Sequence, residues 1–439
     1  MNQFTPAVPY RRPRMLSPLR EHLRDTFWFA PVASMVLVTL LWWGCSGIDT
    51  AIVETLQDAG EYEVVADLAG VAEDAKTIVT TISSAMMTFI GVVFSISLVA
   101  VQMASGQFSP RIVRIFIRSR ITKATFSVFL STFLLSLLVL TSYESETDPK
   151  LMSTVPLVQS ILTLLMVGLS LLLFVAYVNQ TLRLMRVGHV VDRITWEAFG
   201  VIEKTPAYAA EARDLGQPTG ELVHRGRAGV LRDVNVVLLV AAARRHGVVL
   251  RLLPRIGDFV VPGTPILAVY GGTVPLRVSG AVSVGIERTF HQDLGFGLRQ
   301  LSDIALRALS PAVNDPTTAV QALDRIIQLL TALATRPLGP VEFRDGRHGS
   351  GVVRFVQGGP EWADLVDLGF AEIRGCAGDS PQVSRRMLAG LDDLLARVPP
   401  ERAEPLLRHR TLLVQLVERT VPEAADRAFA LEPDRQGIG

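Results

Sequence analysis

Four segments of the chain run almost free of charge over lengths that cross a bilayer: 27–47, 77–101, 124–142 and 155–178. A hydrocarbon core about 30 Å thick takes about 20 apolar helical residues, and each segment reaches or nearly reaches that. Lipid offers no partner to a backbone N–H or C=O, so each run is expected to be a helix. The first run could instead be a cleaved signal. Its basic lead (Arg11, Arg12, Arg14, Arg20, Arg24) suits one, and Gly44-Cys45 resembles the end of a lipoprotein cleavage box. Against that, Trp42 and Trp43 stand where such boxes want small residues; with Trp28 they fit better as aromatics near the two ends of a span.

Composition agrees. Of 439 residues 49% are hydrophobic and 19% charged, unlike a disordered chain or an ordinary cytosolic enzyme. Forty-three basic and 42 acidic side chains leave a net charge of +1, so no bulk field points to nucleic acid. Cys45 and Cys376 are the only cysteines, which excludes a disulfide framework and a thiolate metal site within one chain. No metal and no cofactor is expected.

The loops carry alternating charge. The N-terminal tail has its five Arg; the loop after the first span has eight acids against Lys76. Arg111, Arg114, Arg118, Arg120 and Lys123 follow the second span, Glu144, Glu146 and Asp148 the third, and Arg183, Arg186 and Arg193 the fourth. The positive-inside rule then puts both termini, and everything after residue 178, in the cytoplasm.

The second span differs from the others. At alternating steps of four and three it reads Thr77, Thr81, Ser84, Thr88, Gly91, Ser95, Leu98, Gln102, a small or polar stripe broken only by Leu98. Either it is a packing seam, where small residues admit a close neighbour and hydroxyls bond across, or it lines a hydrated path with copies of the helix around an axis. Beyond it, Arg111, Arg114 and Arg118 share one face of an amphipathic segment that Pro110 can open. That face suits anionic lipid headgroups, or the coupling of the spans to the cytoplasmic domain.

The remainder reads as an α+β domain. Residues 1–26 form a basic tail, 27–178 the transmembrane domain, 179–220 a helical connector and linker, 221–336 the cytoplasmic α+β domain, 337–431 a helical subdomain and 432–439 a disordered tail. Within 255–269, two β-rich runs flank Pro262-Gly263 and suggest a hairpin, similar in shape to the element of barrel-sandwich carrier folds. Lys204 is the last lysine of the chain, so a carrier lysine, a P-loop lysine and a Schiff-base lysine are all excluded beyond it. Residues 337–351 read as a loop. Asp315 before Pro316 reads as the cap of a new helix. Gln292, Asp293, Arg299, Asp303, Arg307, Asn314 and Asp315 form either a polar site or subunit contact, or the caps and ion pairs of two helices. No nucleophile, base and orienter can be named, so there is no catalytic residue to propose.

Three stretches, FSISLVAVQMASGQFSPR at 94–111, GDFVVPGTP at 257–265 and DLGFGLRQLSDIALRALSPAVNDPTTA at 293–319, resemble the bacterial predicted membrane protein family DUF2254. The resemblance implies a multi-pass bacterial inner-membrane protein and no established activity. Three functions stay open: a homo-oligomeric channel- or transporter-like protein with a cytoplasmic regulatory domain, a non-conducting membrane-anchored sensor or scaffold, and a membrane-anchored enzyme of unknown reaction. The expected partners are the lipid bilayer and further copies of the chain, with no nucleic acid and the small-molecule or ion ligand unknown.

Overall fold

The computed structural model describes residues 26–107, 119–143, 148–205, 215–345 and 351–437. The chain divides into two compact units, Pro18–Arg186 and the part from Val187 onward.

The first unit is helical: α1 (Phe29–Asp58), α2 (Tyr62–Gln107), α3 (Arg120–Leu140) and α4 (Leu157–Leu184). All four are long and apolar enough to cross a membrane. α3 packs against each of the other three, and its first turn is capped by Ser119, whose hydroxyl accepts from the Thr122 N–H at 3.3 Å. Aromatic packing closes the centre, with Phe89 edge-on to Phe174 at 5.6 Å. Hydroxyls tie α3 to α4: Thr132 and Ser170 meet at 3.1 Å, and just beyond the end of α3 Tyr143 and Ser160 meet at 2.9 Å.

The acid-rich stretch expected as a loop after the first span is almost entirely helical. α1 continues to Asp58, Gly60 turns the chain at a φ of 76°, and α2 begins at Tyr62. The reason is local: apart from glycine the stretch holds only residues a helix tolerates, and Val53, Val65 and Ala72 bury together. At 46 residues α2 is about 69 Å long, more than twice the hydrocarbon thickness. One consequence is that Asp49 lies inside α1, 1% exposed. Its carboxylate accepts from the Val158 and Gln159 N–H groups at 2.8 and 3.3 Å, satisfying donors that the first turn of α4 leaves open.

The second unit is α+β. It runs α5 (Val187–Lys204), β1 (Gly220–Val223), β2 (Gly229–Val234), α6 (Val236–Arg245), β3 (Val249–Leu252), β4 (Phe259–Val260), β5 (Pro265–Tyr270), β6 (Val282–Gly285), α7 (Phe296–Ala308), α8 (Pro316–Leu333), β7 (Val341–Arg344), β8 (Val353–Gln357), α9 (Trp362–Cys376), α10 (Pro381–Leu395), α11 (Ala403–Thr420) and α12 (Ala424–Ala430). Five strands order as β1-β5-β3-β8-β7 and three as β4-β2-β6; neither sheet closes into a barrel. All pairings are antiparallel except β3 with β8, whose parallel register (Leu250 opposite Phe355) needs the long connection that α7 and α8 occupy. Leu231, Leu239, Leu250 and Phe355 lie at the centre of the core the strands share with α6.

The hairpin expected around Pro262-Gly263 does not form. β4 pairs with β2 and β5 with β1 and β3, so the chain changes sheets at this turn. The Gly263 N–H bonds the His224 carbonyl, and Pro262 has no N–H to give to a ladder. β7 lies within the stretch expected as a loop, paired along β8 from Val341 opposite Gln357. Residues 432–437, expected as part of a disordered tail, are held by Arg385 of α10. The residue is 7% exposed, and its guanidinium donates to the Phe429 and Gly437 carbonyls at 2.8 and 2.7 Å and pairs with Asp434 at 3.2 Å. The helices after residue 337 pack on those before it, α8 on α10 and α7 on α9. Gly369 and Gly390 make the approach possible, for a Cβ would come within 2.8 and 2.2 Å of Ile326 and Ile327.

Candidate functional site

α2 buries one face and bares the other. Val65, Ala72, Val79, Met86, Val93 and Ala100 are each at most 4% exposed and recur every seven residues, a seam against the rest of its unit. Thr77, Thr81, Ser84, Thr88, Gly91, Ser95, Leu98 and Gln102 are all exposed. The stripe is therefore not the packing seam within the single chain. Gly91 marks no close approach there, since nothing lies within 4 Å of an added Cβ. Three of its hydroxyls donate back into the helix: Thr81 to the Thr77 carbonyl at 2.9 Å, Ser84 to Thr80 at 3.2 Å and Thr88 to Ser84 at 3.4 Å. Arg111, Arg114 and Arg118 lie outside the described residues.

The polar set of the second unit separates into several pieces. Gln292 bonds the backbone of Val234 at both ends of its amide, at 3.1 and 2.9 Å. Arg299 pairs with Asp303 and with Glu372, both at 2.9 Å, and so pins α7 to α9. Asn314 takes a φ of 46°, and Asp315 caps α8 by accepting from the Thr318 N–H at 3.0 Å. Arg307 is exposed in the last turn of α7. Of the seven residues, only Gln292 and Asp293 reach a common cavity.

That cavity, about 470 Å³, falls in the size range of small-molecule sites. Its walls come from the end of α5, the 255–258 turn, the 288–295 segment, the 337–343 and 357–360 segments and the start of α9. Val201, Phe343 and Leu365 make a buried apolar floor, and Lys204, Arg255, Asp258 and Asp364 an exposed charged rim. Asp293 is buried and gripped by Arg288 through two bonds of 2.7 and 2.9 Å. Burial pushes the Asp293 carboxyl above the usual carboxylate range, against the pull of Arg288. Gly257 is required here: its φ is +100°, and a Cβ would stand 2.9 Å from Asp293 Oδ2. On the rim, Arg255 pairs with Asp364 at 2.7 Å, and the Asp258 carboxylate accepts from the Arg255 N–H at 2.7 Å.

The Thr205 hydroxyl, the nearest alcohol to Lys204 in the chain, donates to the Val201 carbonyl rather than to a base. Among the described residues no three His, Cys, Asp or Glu side chains converge on a metal position. Sequence reasoning missed Lys204, Arg255, Arg288 and His291 as cavity residues. The nearest available signal was the density of polar residues between Glu287 and Asp293 facing the Gly257-Asp258 turn.

Two relatives, an uncharacterized protein of Mycobacterium bovis and one of Mycobacterium tuberculosis, are each 31% identical to the chain over 394 residues, covering 83% of it and 71% of the relative. No solved structure matches. The model of the predicted membrane protein family DUF2254 matches residues 24–393. The four membrane-length helices, the α+β unit and this match together make the chain a member of the DUF2254 family of predicted membrane proteins.

Proposed function

We propose that copies of the chain assemble through or around the bare stripe of α2 in the bacterial inner membrane, as a channel- or transporter-like protein regulated by the second unit on the cytoplasmic side. One observation carries this reading: every stripe position, Thr77 to Gln102, is exposed while the opposite face of the helix is spent on packing within the chain. A polar stripe left against lipid gains nothing there, so a second helix or water is its natural neighbour. The charge alternation of the loops supports both termini lying in the cytoplasm. The back-bonded hydroxyls support a second reading, a dry seam between copies of a non-conducting scaffold, because their donors are already satisfied without water.

Thr88→Leu and Gly91→Leu separate the two. Neither touches the intrachain seam. If the stripe lines water, Thr88→Leu stops ion flux into reconstituted vesicles and leaves the assembly intact on native gels. If it is a dry seam, both variants overpack it by about 1–3 kcal/mol and the assembly falls apart, Gly91→Leu more readily. A wild-type protein that passes no ion under any gradient, together with disassembly by Thr88→Leu, rejects the channel and leaves the scaffold.

A further inference from the structure

We infer that the cavity of the second unit binds a small amphipathic anion, its charged head at Lys204 and Arg255 and its apolar body over Phe343 and Leu365. The inference does not rest on conduction; its ground is how the cavity's charges are already committed. Asp293 is saturated by Arg288. Asp364 accepts from both the Arg255 guanidinium and the Glu361 N–H through one oxygen, closing the capping box of α9. Asp258 is turned to the Arg255 backbone. Each carboxylate therefore serves a protein donor.

Lys204 does not. Alone among the charged side chains lining the cavity it has no hydrogen bond or ion pair with any described residue. It sits at the C-terminal turn of α5, and its ammonium offers three donors. Arg255, half exposed, engages Asp364 through Nη1, leaving donors over for a ligand. An anion at the rim thus meets an ammonium with no partner among the described residues and a partly committed guanidinium, whereas a cation meets carboxylates that each already serve a protein donor. Beneath that rim the lining is mostly hydrocarbon: Val201, Phe343 and Leu365 are buried, with Leu294 and Leu368 partly so. A fully polar anion would leave this floor unused; one with an apolar body covers it and gains the burial.

Carboxylate and phosphate heads fit the same donors, so the test separates them. The full-length protein, in nanodiscs of zwitterionic lipid, is titrated calorimetrically with hexanoate, hexyl phosphate, hexanol and hexyltrimethylammonium, with empty nanodiscs as the blank and no ion gradient present. We expect saturable binding of one or both anions, and at least about tenfold weaker binding of the alcohol and the ammonium, the size of one charge-assisted hydrogen bond. Lys204→Gln should weaken anion binding by a similar factor and Lys204→Arg should restore it. Lys204 is exposed and has no partner among the described residues, so neither variant threatens the fold they form. Hexanoate against hexyl phosphate assigns the head group. Binding of the ammonium as tightly as the anions, unchanged affinity in Lys204→Gln, or no saturable binding of either anion overturns the proposal.

Discussion

His409 sits on α11 with 2% of its side chain exposed, tilted against the Phe370 ring. Its Nε2–H donates to Asp367 Oδ1 at 2.8 Å, while Nδ1 is buried with no hydrogen-bond partner among the described residues. Arg408 also bonds Asp367, and Arg374 lies close enough to act on both. Burial holds His409 below the ordinary histidine value, and the pull of Asp367 in the other direction does not overcome it. For Asp367 burial pulls upward, but the bonds from His409 and Arg408 win and it lies below the usual carboxylate range. The unfolded chain protonates this histidine near pH 6.5 and the folded chain only lower, so its stabilising difference is full above about pH 6.5 and is lost as pH falls below it. Asp367 acts the same way in a separate window below about pH 4. Thermal unfolding of the protein should show a falling Tm between about pH 7 and pH 5. His409→Gln, which keeps a donor towards Asp367 but cannot titrate, should flatten that slope whatever its absolute stability. An unchanged slope in His409→Gln would assign the effect to another group.

At the scale of elements, the features legible in the sequence were the local ones. The four apolar runs and the cap of α8 at Asp315 each depend on a few neighbouring residues, and each is present. Strand pairing is not local. Nothing in Phe259-Val260 says that its partner is Gly229-Val230 and not the strand five residues later. Val341–Arg344 is too short for its alternation to stand out until β8 lies beside it. Asp49 was hidden for a related reason: the apolar run stops at Gly47, and only the start of α4 makes a buried carboxylate there tolerable. The cavity draws on segments spread from Val201 to Leu368, so no spacing could announce it. The Asp315 cap offers a direct check on the local part. Asp315→Asn keeps an acceptor for the Thr318 N–H and should barely move stability; Asp315→Ala should lose about 1 kcal/mol in chemical denaturation. A folded Asp315→Asn protein with all function gone would instead assign the carboxylate's charge a role beyond capping.

For the whole molecule the governing question is which side of the bilayer each unit faces, since regulation by the second unit and any path along α2 both depend on it. The charges answer it in one way. Five Arg precede α1, eight acids surround the Gly60 turn, basic residues follow α2, acids follow α3 and Arg follow α4. Lys and Arg near span ends resist translocation, so the proposed orientation puts the Gly60 turn outside and the second unit inside. The acids lie on α1 and α2 to either side of this turn, and Glu61 is exposed at the turn itself. The chain supplies its own probe for the other side: Cys376, exposed at the end of α9. With Cys45 replaced by Ser, a membrane-impermeant maleimide added to spheroplasts should leave Cys376 unlabelled until the membrane is opened by detergent. Glu61→Cys in the same background should label at once. Labelling of Cys376 in sealed spheroplasts, with Glu61→Cys protected, would invert the topology, put the anion cavity outside the cell and remove the cytoplasmic regulation proposed for it.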